Sequence, residues 1–267
     1  MSPDLNPPSE ALFITAPYRC WGVQVVGAWP PLHLAYLAGA ARQAGVTPRI
    51  HDAMNLGHDH AAIKAEIARS RPDWVVSYDY LPVTGAISTA ALPDAIAILR
   101  SAKEVDPRIK TVLGGPHPTF LPQEVLESAG GAVDYILLGE GDETLAHLMN
   151  AERTGSSHEV TGIAFLKDGK TIVRPARAQM ADLESIPPAW DTLDWNLYNY
   201  FVAPGGRMVS ILTSRGCEMS CSFCSQRLFW QGTWRARQPE RVAAEISALS
   251  RDYGIKVLTL IDAYPKR

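Results

Sequence analysis

The chain has 267 residues, 46% of them apolar and 20% charged, with a formal net charge of -3, the make-up of one or two ordinary globular domains with substantial cores. No basic stripe or lysine-rich tail supports nucleic-acid binding. The polar, proline-bearing residues 1–10 lack the basic and then apolar regions of a signal peptide, and no apolar run reaches the roughly 20 residues that span a bilayer.

Residues 11–150 read as alternating strands and helices. The apolar run 11–16 predicts a first strand, and Pro30 and Pro31 open a helix whose Leu34, Leu37, Ala38 and Ala41 share one face before Gly45 ends it. Residues 49–54 predict a second strand, followed by a helix starting near Asp59 with Ile63 and Ile67 inward. A third strand over 73–80 precedes a helix marked by Leu92, Ile96 and Leu99, with Pro93 early in it. Residues 109–113 predict strand four, running into a loop of Gly114, Gly115, Pro116, His117 and Pro118 and a short helix near 123–129. Residues 133–138 predict strand five, then the loop Gly139, Glu140, Gly141 and a helix carrying Leu145, Leu148 and Met149.

Five such units imply a parallel sheet with right-handed crossovers and helices on both faces, a flavodoxin-like or Rossmann-like α/β domain over residues 1–155. Ligands of such sheets bind beyond the carboxyl ends of the strands. That rule makes candidates of Trp29, Thr84, Gly114, Gly115, Pro116, His117, Gly139, Glu140 and Gly141. Gly114 and Gly115 would let the backbone approach a large planar ligand; a tight turn with no ligand is the alternative. His51, His58 and His60, with Asp52 and Asp59 nearby, show no regular ligand spacing and read as a solvated helix N-terminus. Trp230 and Trp234 fit either a ligand cleft or buried packing, and Cys20 reads as an incidental thiol.

Residues 156–204 read as a hairpin about the turn Lys167, Asp168, Gly169, Lys170 and an ordered linker with Pro187, Pro188 and several aromatics. A second domain over 205–267 then runs strand (207–213), cysteine loop, helix (239–252), strand (256–261). A (β/α) barrel commonly takes roughly 200 residues or more, so this part reads as the beginning of a barrel, in a chain that is either a fragment or stops early.

The cysteine loop is the most specific feature. Cys217, Cys221 and Cys224 are separated by three and then two residues. Three thiolates can hold a cubane iron-sulfur cluster and leave one iron open to an exogenous ligand. A structural zinc site would call for a second ligand pair nearby, and disulfides would leave an odd thiol.

This spacing, with Gly216 before it and Phe223 just ahead of the last cysteine, resembles the signature of the radical S-adenosylmethionine (SAM) enzymes. Further stretches are similar to cobalamin-binding radical SAM proteins, and more narrowly to the anaerobic magnesium-protoporphyrin IX monomethyl ester cyclase family: GAWPP at 27–31, AYLAG at 35–39, HDAM at 51–54, VLGGPHPTF at 112–120, LGEGDE at 138–143, CSQRLFW at 224–230 and RAR at 235–237. The resemblance implies a 4Fe-4S cluster on Cys217, Cys221 and Cys224, SAM chelated at its open iron near Phe223, and cobalamin over the rim of the first domain. The D-x-H-x-x-G motif that gives cobalt a histidine is absent after the first strand, where residues 17–22 read PYRCWG, so the corrinoid would be held without that ligand. Asp262, at the end of the second barrel strand, stands where the family holds the amino group of SAM, although Ala263 and Tyr264 depart from the family's more acidic stretch. The implied reaction is oxidative ring closure on a magnesium porphyrin, a small-molecule substrate, with an external electron donor. A cobalamin-dependent methyltransferase and a noncatalytic corrinoid-binding module are the alternatives. An oxygen-sensitive cluster and free thiols point to the reducing cytoplasm.

Overall fold

The computed structural model describes residues 9–17, 27–79, 89–201, 203 and 205–266. Thr84 and Cys20 lie outside the described residues. In chain order the first half comprises β1 (Glu10–Ile14), α1 (Leu32–Gln43), β2 (Thr47–His51), α2 (Ala53–Leu56), α3 (His60–Ser70), β3 (Trp74–Tyr78), α4 (Leu92–Val105), β4 (Lys110–Gly114), α5 (Pro116–Phe120), α6 (Pro122–Ala129), β5 (Tyr135–Leu137) and α7 (Asp142–Thr154). The second half comprises β6 (Ile163–Lys167), β7 (Lys170–Val173), β8 (Arg207–Ile211), β9 (Ser214–Gly216), α8 (Gln226–Phe229), β10 (Trp234–Ala236), α9 (Pro239–Tyr253) and β11 (Ile255–Leu260).

Strand alternation explains how the sheet is buried on both sides. Ala11 and Phe13 of β1 face a core formed with Leu34 and Leu37 of α1 and Leu145 of α7, while Leu12 and Ile14 face Ile63, Ile67, Leu99 and Val125 on the other side. The strand order is β2-β1-β3-β4-β5-β6-β7. β1 to β5 run parallel, and β6 and β7 continue the sheet antiparallel. The hairpin expected over 162–174 is therefore an extension of the sheet, with its turn at Asp168 and Gly169, both at positive φ.

Several strands are shorter at their ends than the sequence reading, and two differences from that reading have a clear local cause. β2 ends at His51, because the buried Asp52 caps α2, accepting hydrogen bonds from the backbone N–H of Asn55 at 3.2 Å and the hydroxyl of Thr15 at 2.9 Å. The stretch expected as a loop after strand four is helical from Pro116, where a proline costs no hydrogen bond in the first turn.

The stretch after β7 packs on α1 and then enters a separate core. The backbone N–H of Ala189 donates to Ala35 O at 2.8 Å. A Cβ at Gly39 would come within 2.1 Å of Pro187 O, so only glycine admits this approach of α1 to the linker. Trp195 and Tyr198 then join Met208, Val209 and Ile211 of β8 and Val242 and Leu249 of α9 in a separate core. There β8 pairs in parallel with β11, and β9 antiparallel with β10.

Candidate functional site: a cleft between sheet rim and cysteine loop

The carboxyl ends of the parallel strands face the small sheets of the second half across a cleft of about 580 Å³. Its first wall is built by Trp29, His33, Tyr36, Tyr78, Pro116 and the loop Gly139, Glu140, Gly141. Ser210, Ser214, Arg215, Trp230, Thr259 and Asp262 build the other. Of the residues expected at the site, Trp29, Pro116, Gly139, Glu140, Gly141 and Asp262 thus meet in one place, although up to 233 positions separate them in the chain.

The other candidates stand back from it. Gly114 and Gly115 serve tight internal packing: a Cβ would lie 1.9 Å from the Tyr78 ring at Gly114 and 1.7 Å from Asp79 Oδ1 at Gly115, whose φ is +116°. The backbone N–H of His117 donates to Asp79 Oδ2 at 2.9 Å. Phe223 is 90% exposed and does not line the cleft. The histidines of the second βα unit split up, with His51 and His58 ring nitrogens 3.2 Å apart and His60 turned to Asp94 at 2.8 Å.

Burial sets the protonation of the first wall. His33 is held far below the usual imidazole range, at about 3, by loss of solvation, and is neutral at physiological pH. Burial pushes the Tyr36 phenol up to about 12 and, outside the cleft lining, the Asp79 carboxyl up to about 7. Trp29 Nε1 and Ser214 Oγ, one on each wall, are buried with no hydrogen-bond partner among the described residues. Buried polar atoms of this kind are rare in native structures. They offer a ligand hydrogen bonds from both sides.

A chain of charges joins the walls below this opening. Arg215 Nη1 donates to Glu140 Oε1 at 2.7 Å and to Asp142 Oδ2 at 2.8 Å, and its guanidinium lies 4.4 Å from the centre of the Tyr36 ring. Arg235, directly opposite Arg215 in the β9–β10 ladder, donates to Glu140 Oε2 at 2.8 Å. Burial alone would lower the Arg215 pKa, but the Asp142 and Glu140 carboxylates overcome it and hold the guanidinium above its ordinary value. Arg237 ties the linker to α9 in the same manner, pairing with Glu184 at 2.9 Å and with Glu245 at 2.6 Å.

Asp262 is fully engaged. Oδ1 accepts from the backbone N–H groups of Thr213 at 2.7 Å and Ser214 at 3.0 Å, and Oδ2 accepts from the Thr213 hydroxyl. It braces the turn from which β9 leads into the cysteine loop.

Cys217 is buried, Cys224 half-buried and Cys221 exposed; all three are free thiols. Residues 217–225 between β9 and α8 carry no helix or strand. Among the described residues no three metal-binding side chains are drawn together at ligating positions. As a donor set, three free thiols on one irregular segment fit an iron-sulfur cluster, which soft thiolate ligands select. The paired orphan polar atoms and the wide cleft likewise fit a large polar-edged cofactor.

Sequence reasoning missed His33, Tyr36, Tyr78, Arg215 and Asp142. Arg215, two residues before Cys217, and Asp142, two after Glu140, were within reach of the motifs. The aromatic residues look like core positions, and nothing in the sequence separates cleft wall from core.

Comparison with known proteins agrees with this arrangement. Residues 18–149 match the B12 binding domain family. The chain is 36% identical over 264 residues to the anaerobic magnesium-protoporphyrin IX monomethyl ester cyclase of Rubrivivax gelatinosus, covering 96% of this chain and 45% of that protein. With the cyclase of Cereibacter sphaeroides the identity is 38%, over 95% of this chain and 40% of that protein. An uncharacterized methyltransferase of Pyrococcus horikoshii is 32% identical, over 95% and 53%. Among solved structures, the cobalamin-dependent SAM radical enzyme OxsB superposes with a TM-score of 0.74 at 19% identity, over 96% of this chain and 34% of that one. The radical SAM methyltransferase TsrM of Kitasatospora setae superposes with a TM-score of 0.69 at 18% identity, over 96% and 48%. The chain spans about half the length of the curated relatives it matches, or less.

Residues 18–149 thus match a B12-binding domain ahead of the cysteine loop, and the chain shares its fold with cobalamin-dependent radical SAM enzymes. The relatives at 36% and 38% identity are anaerobic magnesium-protoporphyrin IX monomethyl ester cyclases.

Proposed function

We propose that this chain holds cobalamin against the strand-end rim, a 4Fe-4S cluster on Cys217, Cys221 and Cys224, and SAM in the cleft between them, for oxidative cyclisation of a magnesium porphyrin. The observation that carries the reading is that the rim of the B12-binding domain and the strand leading to the cysteines line one cleft. In this reading residues 1–155 form the corrinoid domain, 156–204 the hairpin and linker, and 205–267 the first part of the SAM domain. No helix among the described residues is long and apolar enough to cross a membrane. A cytoplasmic setting with an external electron donor suits the free thiols.

Bound there, the cluster would supply the electron that cleaves SAM, and the corrinoid a cobalt centre beside it. The residues of the chain bind and orient. Asp262 fixes the turn before Cys217, and Arg215 ties that turn to the rim. Trp29 Nε1 and Ser214 Oγ offer hydrogen bonds to polar edges of the bound groups, while Leu32, Leu37 and Phe229 keep part of the wall apolar. His33 stays uncharged and adds no positive charge beside a cationic sulfonium.

A cobalamin-dependent methyltransferase is the second reading, favoured by the methyltransferase relative that aligns over 95% of the chain. Anaerobic reconstitution with iron and sulfide, followed by addition of SAM and a strong reductant, tests both. About four irons per chain and 5'-deoxyadenosine support the radical reading. S-adenosylhomocysteine formed with a methyl acceptor supports methyl transfer. Iron-free protein with bound corrinoid would reduce the chain to a binding module.

A further inference from the structure

Resting on that reading, we infer that Arg215 and Glu140 form a positioning clamp through which the corrinoid rim fixes the placement of the cysteine loop. Glu140 sits in the loop Gly139, Glu140, Gly141 that follows β5 and lines the cleft. Arg215 sits in β9, two residues before Cys217. Their side chains are each 6% exposed and meet at 2.7 Å.

The linkage is more than a single ion pair. Glu140 uses one oxygen for Arg215 and the other for Arg235, so one carboxylate holds both strands of the β9–β10 hairpin. Glu140 Oε2 also accepts from the backbone N–H of Met180 at 3.0 Å, and Asp142 takes the rest of the Arg215 fork at 2.8 and 3.3 Å. Two guanidinium groups thus face two carboxylates and the cluster is neutral. The cysteine loop and α8 are the connection between those two strands. Their position relative to the rim is set where the hairpin is held.

Buried charges make this contact selective about geometry. A guanidinium presents a rigid fork that a lysine ammonium cannot reproduce. Removing one partner leaves an uncompensated buried charge, which the hairpin relieves by moving outward. A ligand that displaces the Gly139, Glu140, Gly141 loop therefore also displaces the strand entering the cysteines.

The test is hydrogen exchange on the full chain without cofactors, comparing the wild type with E140Q and R215K. With either variant, exchange should rise by roughly tenfold in peptides covering 214–236 and stay unchanged in β1 and β3, because loss of a local contact opens a local unit. R215K should lose less protection than R215M if the charge alone supplies part of the hold. Unchanged exchange in the paired strands 214–216 and 234–236 in E140Q would overturn the clamp, as would an equal rise across the whole chain, which is what a merely structural role produces. The same proteins are then reconstituted with iron and sulfide and reduced with dithionite, and the electron paramagnetic resonance signal of the reduced cluster is recorded with and without hydroxocobalamin. In the wild type the corrinoid should alter the signal, and in E140Q it should not; an identical alteration in both would overturn the coupling. Failure of the wild type to take up iron or corrinoid would defeat the proposed function while leaving the exchange result to judge the clamp.

Discussion

The carboxylate of Asp262, at the end of β11, accepts the backbone N–H of Thr213 at 2.7 Å, joining the two ends of the small parallel sheet beside the turn into β9. Three donors converge on this one side chain. Asp262→Ala would leave them unsatisfied and should cost about 2 kcal/mol. Asp262→Asn keeps an acceptor for both backbone N–H groups and should cost less. Urea denaturation ranks the two, and equal midpoints for wild type and Asp262→Ala would refute the brace. Iron uptake should fall with stability in the same order.

The cysteines should behave as a ligand set and not as core. Cys221 is exposed and Cys224 half-buried, so serine at either position should leave the circular dichroism spectrum and thermal midpoint close to wild type. Iron after reconstitution should fall from about four per chain to near zero in the triple variant. Retention of iron by the triple variant would move the cluster elsewhere.

Asp79 supplies a pH dependence with a definite sign. Burial raises its carboxyl to about 7, against an unfolded value of 3.8, even though the His117 N–H favours the ionised form. The folded state then binds more protons than the unfolded state between these values, so this contribution is fully present below about 4 and is lost as pH rises through 7. Asp79→Asn should abolish it. Wild type should lose on the order of 3 kcal/mol relative to Asp79→Asn between pH 4 and pH 8. Parallel stability curves for the two proteins would contradict the assignment. The buried His33 acts in the opposite sense: its imidazole is depressed to about 3, so its contribution is present above 6.5 and is lost as pH falls toward 3.

Gly115→Ala meets two obstacles together, a φ of +116° and a Cβ position 1.7 Å from Asp79 Oδ1. A cost of about 2–3 kcal/mol follows from backbone strain and overpacking. Gly131→Ala is the comparison: φ is +84° with none of the described residues within 4 Å of the new methyl group, so only the backbone cost remains. If the two variants unfold at the same denaturant concentration, Asp79 does not press on this turn.

The parallel sheet was legible because its strands are continuous apolar runs and its helices carry a regular apolar face. Residues such as Phe13, Ile63 and Leu99 are fully buried where that pattern puts them. The extent of the sheet was harder to read. Nothing in residues 162–174 distinguishes a free hairpin from one that pairs with β5. At the site, loops after strands pointed to Trp29 and Gly139, which line the cleft, but the same rule included Gly114 and Gly115, whose missing side chains make room for Tyr78 and Asp79. A glycine reports that something comes close without saying whether it is a ligand or the protein itself. Arg215 was hidden for another reason: its partners lie 73 and 75 positions away, and charge in a sequence does not reveal burial.

The pair β6–β7 also decides where the polypeptide leaves the sheet. β6 starts beside Leu137 at the rim and runs away from it, and β7 returns, so that Arg174 N–H reaches Ile163 O. A pair of strands preserves parity: the chain exits at the end where it entered. The linker accordingly begins at the mouth of the cleft, where Arg177 and Gln179 meet Gln231 and Phe229, and it need not traverse the sheet to reach the second half. A single added strand would have delivered it to the opposite pole. The Asp168–Gly169 turn at that pole is therefore the place where the molecule can be lengthened or labelled without crossing the path between its two halves.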